Sequence, residues 1–124
     1  MNVVDSSGWL EYFAAGRNAG FFARAIEKPA GLLVPTLSLF EVFKRVLHQR
    51  DETGALHAVA LMQQGHVVDL DSALALSAAR LSVDTRLPMA DSIMLATARA
   101  YDAVLWTQDA DFRGIDGVQY RAAT

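Results

Sequence analysis

Residues 87–109, LPMADSIMLATARAYDAVLWTQD, predict a helix followed by a strand, with an acidic residue near the start of the helix and another after the strand. The helix is predicted over Pro88 to Tyr101, where apolar residues recur at helical spacing. The strand is predicted over Ala103 to Trp106, a short buried run that ends before polar residues. A helix that leads into a buried strand is typical of an α/β protein.

The rest of the chain continues this alternation of short strands and helices. Further strands are predicted at Val3–Asp5, Leu32–Val34, His66–Asp69 and Val118–Tyr120. Further helices are predicted over Trp9–Ala15 with Ser6 or Ser7 as the cap, Ala19–Lys28, Thr36–Glu52, Ala55–Gln64 after a break at Gly54, and Ser72–Asp84. Strands separated by helices indicate a mainly parallel central sheet with helices on both faces. Ligands of such sheets bind beyond the carboxyl ends of the strands.

Length and composition predict one globular domain spanning residues 1–124. The chain is 52% hydrophobic and 20% charged, and it contains no cysteine, which excludes disulfides, thiolate zinc sites and cysteine nucleophiles. The N-terminus has neither a basic segment nor a long apolar one, and no apolar run approaches the length of a membrane span. We therefore expect a cytoplasmic protein that does not contact a membrane.

The formal net charge of −3 argues against indiscriminate binding to nucleic acids. Two divalent cations held by acidic residues would reverse that sign, and the eleven Lys and Arg residues would then be available to contact phosphates. Net charge alone therefore does not exclude a nucleic-acid substrate.

Four acidic residues lie at the edge of, or inside, apolar stretches. They are Asp5, Glu41, Asp91 and Asp109. A carboxylate beside apolar packing is costly unless something neutralises it, and the chain has too few well-placed cations to pair all four. A bound metal ion is the natural counter-charge, so the pattern indicates a metal-dependent enzyme.

Asp5 and Asp91 differ in how well a purely structural role explains them. Asp5 precedes two serines and a glycine, which fits a turn or a helix cap, although Ser6 or Ser7 could cap instead. Asp91 is the only charged residue from Leu87 through Ala98. The helix dipole favours an acid in a first turn, but by less than the cost of a poorly hydrated, unpaired charge, so the functional interpretation is preferred for Asp91.

Glu41 has a credible structural alternative. With Ser38 it fits a capping box, in which the glutamate bonds back to the cap, and it could also pair with Arg45 one turn later. Thr36 is an equally good cap, and it would place Glu41 deeper within the helix.

Asp109 follows the predicted strand and is a metal candidate, although an Asx turn would also explain it. Asp111 is expected to lie just outside the direct metal ligands and to support them. Thr107 could hydrogen-bond a carboxylate or water at the ion, and Ser6 is assigned to the same outer layer.

Other acidic and histidine patterns are weaker candidates. An EF-hand beginning at Asp109 is excluded because Arg113 and Tyr120 occupy positions that should supply oxygen ligands. Asp69 and Asp71 also follow a strand, but Asp71 or Ser72 is expected to cap the next helix. The three histidines lack metal-ligand spacing.

Carboxylate ligands select hard cations, here one or two Mg²⁺ or Mn²⁺ ions, over zinc. Four acids around such ions match metal-assisted hydrolysis of a phosphodiester. Arg86, Lys44 and Arg45 are candidate phosphate contacts, although a solvated helix face explains Lys44 and Arg45 equally well.

Four segments in this order resemble the PIN domain. They are DSSGWL from residue 5, a glutamate on a mid-chain helix, LPMADSIMLATA from residue 87 and WTQDADF from residue 106. The resemblance runs from Val3 to Tyr120 and implies a PIN-like three-layer α/β/α fold. It also implies that the family's catalytic, metal-binding acids fall on Asp5, Glu41, Asp91 and Asp109, its small hydroxyl residue on Thr107 and its variable fifth acid on Asp111.

The chain length is similar to that of the toxin ribonucleases of VapBC-type toxin–antitoxin pairs. This resemblance implies Mg²⁺- or Mn²⁺-dependent endonucleolytic cleavage of RNA. It further implies a homodimer and a small cognate antitoxin that blocks the active site, commonly with a basic side chain.

Three rival functions fit the sequence less well. A phosphatase of the haloacid-dehalogenase type needs a second Asp where this chain has Ser7, and a receiver domain needs a late Lys, whereas the last one here is Lys44. A non-catalytic binding module that keeps the fold predicts decayed acids, but all four are present.

Overall fold

Five short strands form one parallel sheet in a computed structural model that describes residues 1–124. The strands are β1 (Asn2–Val4), β2 (Leu32–Pro35), β3 (His66–Val68), β4 (Val104–Thr107) and β5 (Val118–Tyr120). Their order across the sheet is β3-β2-β1-β4-β5, so the first strand lies at the centre. Val3 pairs with Leu33 on one side and with Leu105 on the other.

Six α-helices connect the strands. They are α1 (Ser6–Phe13), α2 (Ala19–Ile26), α3 (Thr36–Gln49), α4 (Glu52–Met62), α5 (Ser72–Thr85) and α6 (Met89–Ala100). Two short 3₁₀ turns, Pro29–Gly31 and Ala110–Phe112, precede β2 and β5. None of the helices has both the length and the apolar character needed to cross a bilayer.

The helices cover both faces of the sheet, because alternate strand residues point in opposite directions. Val4 and Val34 face a core built with α1 to α4 that includes Trp9 and Phe22. Val3, Leu33 and Leu105 face a second core built with α5 and α6. The predicted α/β class, with a parallel sheet between two helical layers, is confirmed.

Three predicted helix boundaries are wrong. α1 begins at Ser6 rather than Trp9, and Asp5 occupies the cap position without a side-chain capping bond. Gly54 lies inside α4 rather than separating two helices. The side chain of Asp51 caps α4 by accepting the Gly54 N–H at 2.7 Å, so the helix begins before this glycine. α3 accordingly ends at Gln49, short of the predicted Glu52.

Gly8 allows α1 to pack closely against the sheet. A Cβ at this position would lie 2.5 Å from Cε1 of Phe22 and 2.8 Å from Cγ1 of Val4. The first turn of α1 is thereby held against the end of β1, and this fixes where the residues after β1 can project.

Candidate metal centre

Asp5 marks one side of the site at the carboxyl end of β1. Its backbone N–H donates to the carbonyl oxygen of Trp106 at 2.9 Å, which ties the ends of β1 and β4 together. Its side chain is only 6% exposed, and its Oδ2 accepts hydrogen bonds from Ser7 Oγ at 2.9 Å and Thr107 Oγ1 at 3.0 Å. These two bonds fix the carboxylate and leave its Oδ1 open.

The hydroxyl of Thr107 connects Asp5 to the turn after β4. Thr107 is fully buried at the last position of β4. Its Oγ1 donates to Asp5 and also accepts the backbone N–H of Asp109 at 3.0 Å. One hydroxyl therefore positions both the first acid and the start of the segment that carries two more.

Asp91, Asp109 and Asp111 bring carboxylate oxygens within 4.8 Å of one another. Asp91 lies in the first turn of α6, whereas Asp109 and Asp111 lie in the turn that follows β4. Oxygen donors this close, without nitrogen or sulfur among them, fit a hard divalent cation such as Mg²⁺ or Mn²⁺. The sequence predicts Asp111 outside the metal ligands, whereas its carboxylate lies in the same group as two of the predicted ligands.

The Asx turn considered for Asp109 is present. Its Oδ1 accepts the backbone N–H of Asp111 at 2.9 Å. This bond orients the carboxylate and leaves Oδ2 available, so the turn and a metal-binding role are compatible.

Burial and neighbouring negative charges raise the pKa of Asp5 above its ordinary value. Loss of hydration is the largest cause, and the charges of Asp109 and Glu41 add to it. The hydrogen bonds from Ser7 and Thr107 act in the opposite direction, because they stabilise the ionised form.

The pKa of Asp91 is raised to about 7. Loss of hydration is again the largest cause, followed by the charges of Asp109 and Asp5 and by contact with Asp111. These acids repel one another, and a divalent cation would supply a counter-charge for them.

Glu41 lies in the second turn of α3, and the capping-box interpretation is wrong. α3 begins at Thr36, with Pro35 at the cap position and no side-chain capping bond. Ser38 lies inside the helix, where its hydroxyl contacts Sδ of Met94 at 3.4 Å. The Glu41 carboxylate accepts a hydrogen bond from Ser6 Oγ at 2.7 Å. Glu41 therefore faces the start of α1 and contributes to the negative charge around Asp5.

The two serines after Asp5 do not cap α1 as predicted. Both lie in its first turn, and their hydroxyls donate hydrogen bonds to carboxylates, that of Ser6 to Glu41 and that of Ser7 to Asp5. Ser7 is a site residue that the sequence analysis did not assign. The sequence feature that could have identified Ser7 is its position two residues after an acid that follows a strand.

The three predicted phosphate contacts lie at the surface. Lys44 and Arg45 follow Glu41 on α3 and are exposed, and both line a groove of about 720 Å³ that also includes Ser6 and Glu41. Arg86 is exposed at the end of α5, with a left-handed φ of 62°. Lys44 and Arg45 therefore share a groove with Glu41, and Arg86 is not among the residues that line it.

A second groove of about 730 Å³ runs between α1, α3 and α4. Ser7 and Gln108, which neighbour site acids in the chain, line it together with Arg45 and Arg50. Gln108 was not singled out from the sequence, although it lies directly between Thr107 and Asp109. The grooves that contain Glu41, or the neighbours of Asp5 and Asp109, thus also contain cationic side chains.

The residues considered weaker candidates lie apart from this site. Asp71 caps α5 by accepting the N–H of Leu74 at 2.8 Å, as predicted, and Asp69 is exposed beside it. The histidines are all exposed, at positions 48, 57 and 66.

Among curated proteins, none matches the chain in sequence. Solved structures match it over nearly its whole length. A toxin–antitoxin complex from Klebsiella pneumoniae is 22% identical, with a TM-score of 0.81 and 96% of each chain covered. VapC20 of Mycobacterium tuberculosis, described as a toxin that cleaves the sarcin-ricin loop, is 18% identical, with a TM-score of 0.77 over 94% of this chain and 95% of its own.

DNA-bound VapBC from Salmonella typhimurium is 12% identical, with a TM-score of 0.75 over 99% of this chain and 98% of its own. At such identities these likenesses establish the fold. In sequence, the family model described as the PIN domain matches residues 3–118, which includes all the acids of the site. The chain therefore belongs to the PIN domain family.

Proposed function

We propose that this chain is a cytoplasmic Mg²⁺- or Mn²⁺-dependent endoribonuclease, the toxin of a toxin–antitoxin pair, and that residues 1–124 act as a single PIN-like domain. Membership of the PIN family and the likeness to structures described as toxins support this proposal. The observation that carries it is the grouping of the Asp91, Asp109 and Asp111 carboxylates, close enough to Asp5 for their charges to interact, as those of Asp5 and Glu41 do.

We assign Asp5, Glu41, Asp91 and Asp109 as the acids that hold one or two ions. Asp111 joins them directly, since its carboxylate is grouped with those of Asp91 and Asp109. When bound, Mg²⁺ or Mn²⁺ supplies activation of a water for attack at phosphorus and neutralisation of charge on the phosphate.

The neighbouring side chains keep the acids in place. Thr107 and Ser7 hold Asp5 by its Oδ2, so that Oδ1 projects freely, and Ser6 holds Glu41 in the same way. A site that is already ordered needs little rearrangement when substrate binds. Lys44, Arg45 and Arg86 are proposed to contact phosphates of the RNA, because they are exposed cations and two of them line a groove with Glu41.

We further propose that a small antitoxin protein blocks this site. The similar structures from Klebsiella pneumoniae and Salmonella typhimurium are described as toxin–antitoxin assemblies. The groove beside α1 combines apolar residues such as Leu10 and Phe13 with the polar Ser7 next to Asp5. A basic side chain presented by the partner would be attracted to the excess of carboxylates.

Exposed apolar residues on α5 and α6 support a homodimer. Leu76 is 73% exposed and Val83 is 80% exposed on one stripe of α5, and Met89 at the start of α6 is 74% exposed. Met89 and Leu70 also line an apolar groove of about 480 Å³ between these helices. A second copy that covers this surface would remove it from water.

Cleavage of RNA by the purified protein tests the proposed function. We expect cleavage within the chain of a folded RNA in the presence of Mn²⁺, its loss with EDTA, and its loss in Asp5→Ala. Asp69→Ala is the matched control, because Asp69 also follows a strand but lies outside the site. A folded wild-type protein that cleaves no RNA in Mn²⁺ would indicate instead a non-catalytic binding module.

Expression in bacteria provides a second readout. We expect growth arrest with the wild type and with Asp69→Ala, and normal growth with Asp5→Ala at equal protein levels. Arrest by Asp5→Ala would contradict a toxin that acts through this site.

A further inference from the structure

We propose that Gln108 recognises a nucleotide beside the cleaved phosphodiester and that Asn18 is the positioning residue that orients it. The inference rests on the proposed ribonuclease function and adds the side chain that selects its substrate. It assigns to this pair a preference for the carbonyl bases, guanine and uracil, which have a carbonyl group at C6 or C4, over the amino bases, adenine and cytosine, which have an amino group at that position.

Asn18 is a buried residue that joins three segments at the site. It is 3% exposed, at the cap position of α2, but its side chain does not cap that helix. Its Nδ2 donates to the carbonyl oxygen of Ala122 at 2.9 Å and to Oε1 of Gln108 at 3.0 Å. Its backbone N–H donates to Oε2 of Glu11 at 2.9 Å.

The bond to Ala122 determines which way both amides point. A backbone carbonyl can only accept, so the side-chain NH₂ of Asn18 must face Ala122. The second hydrogen of that NH₂ is directed at Gln108, which must therefore present its oxygen. A reversed Gln108 amide would place two NH₂ groups against each other. The Nε2 group of Gln108 is consequently the part that can donate elsewhere.

Gln108 lies next to the acids in the chain and lines a surface groove. It connects Thr107, which holds Asp5, to Asp109, which is grouped with Asp91 and Asp111. Its side chain lines the groove between α1, α3 and α4 together with Ser7 and Arg45. An RNA whose phosphodiester reaches the acids, with flanking phosphates near Arg45, places a neighbouring nucleotide within this groove.

A fixed NH₂ group selects bases by hydrogen bonding. It donates to O6 of guanine or O4 of uracil, whereas N6 of adenine and N4 of cytosine are themselves donors and would be left without a partner. Unpaired bases of single-stranded segments expose these edges to a protein. Because Asn18 prevents the Gln108 amide from reversing, the preference is built into the folded chain.

Cleavage of an RNA pool with a randomised single-stranded segment, in Mn²⁺ with sequenced products, tests this proposal. For the wild type we expect guanine and uracil to be enriched at one position beside the cut. Gln108→Glu keeps an oxygen for Asn18 and replaces the outward NH₂ with a second oxygen, so the ratio of carbonyl to amino bases should fall about three- to tenfold. This readout is a ratio among products and does not depend on the overall rate.

Two further variants distinguish base selection by Gln108 from the effect of an added negative charge and from misfolding. Gln49→Glu adds the same charge to the same groove and should leave the ratio unchanged. Asn18→Ala should relax the preference without reversing it, because Gln108 can then rotate, and circular dichroism checks that this variant folds. An unchanged ratio in an active Gln108→Glu protein overturns the proposal even if Asn18→Ala fails to fold.

The outcomes distinguish this inference from the proposed function. Wild-type cleavage without any preference for carbonyl bases beside the cut overturns the role of Gln108 and leaves the ribonuclease intact. A wild-type protein that cleaves no RNA overturns both.

Discussion

Thr107 and Asp5, 102 residues apart in sequence, share a buried hydrogen bond of 3.0 Å between a hydroxyl and a carboxylate. The bond exists because β1 and β4 are neighbours in the sheet and end side by side. The same hydroxyl accepts the N–H of Asp109, so one side chain orients groups that follow both strands.

Replacing Thr107 tests that relationship. We expect Thr107→Val to lower kcat/KM for RNA cleavage by about 10- to 100-fold, since the carboxylate loses a partner that orients it. Thr107→Ser, which retains the hydroxyl, should keep most of the activity. Equal losses in the two variants would assign Thr107 to packing rather than to orientation.

Asp91→Asn should abolish cleavage while the protein remains folded. The substitution removes one carboxylate from a group of three, which weakens metal binding and relieves repulsion in the metal-free protein. We therefore expect a higher Tm than wild type in EDTA and a smaller rise in Tm when Mn²⁺ is added. Asp69→Asn is the control and should leave all three measurements unchanged. Full activity in Asp91→Asn would remove Asp91 from the metal site.

The stability of the metal-free protein should fall as the pH rises. The pKa of Asp91 is about 7 in the folded chain and near 3.8 when unfolded, so between these values the folded state binds the extra proton. Stability is greatest below the lower value and is lost progressively up to the higher one. Thermal unfolding in EDTA should give a lower Tm at pH 8 than at pH 5, with a smaller difference in Asp91→Asn. If the Tm of the wild type rose from pH 5 to pH 8 while that of Asp91→Asn did not, the raised pKa of Asp91 would be contradicted.

Val83→Arg should convert a homodimer to monomers. The residue is 80% exposed on the apolar stripe of α5, and an arginine there could not be buried against a second copy without a partner. Size-exclusion chromatography with light scattering measures the change. Leu56→Arg on α4, where Leu56 is 53% exposed, is the matched control and should leave the mass unchanged. A wild-type monomer would exclude the proposed dimer outright.

Gly8→Ala should destabilise the fold by about 1–3 kcal/mol, because its Cβ would overlap Phe22 and Val4. Gly20→Ala is the control, since a Cβ there meets nothing within 4 Å. Urea unfolding of the two variants compares them directly. Similar midpoints for both would show that α1 can shift away from the sheet without cost.

The sequence was sufficient to predict the alternation of elements and the parallel sheet. Strands such as Leu32–Pro35 are short continuous apolar runs, and the helices between them are longer, so length and periodicity together separate the two. Helix ends were less predictable, because several polar residues compete to cap. At the start of α1, the hydroxyl of Ser6 bonds to Glu41, 35 residues away in the chain, and that of Ser7 bonds to Asp5, rather than to the helix backbone.

The site likewise contains residues that the sequence predicts and contacts that it does not. Asp91 is conspicuous as a single charge in an apolar helix, and an acid after a buried strand points to Asp5 and Asp109. The grouping of Asp111 with Asp91, and the bond between Asn18 and Gln108, depend on how the chain turns after β4. Side-chain contacts between residues about 90 positions apart are set by tertiary packing, and a single sequence has no local signal for them.

The central position of β1 has a consequence for the time at which the enzyme becomes active. β1 is the first strand to be synthesised, but its partner β4 lies about 100 residues later, and Asp109 follows β4. Contacts of such long sequence separation form late in folding. A chain still emerging from the ribosome has Asp5 but not yet Asp109, so it cannot assemble the centre. Under the proposed function, the unfinished toxin is harmless to the messenger RNA and ribosome that produce it.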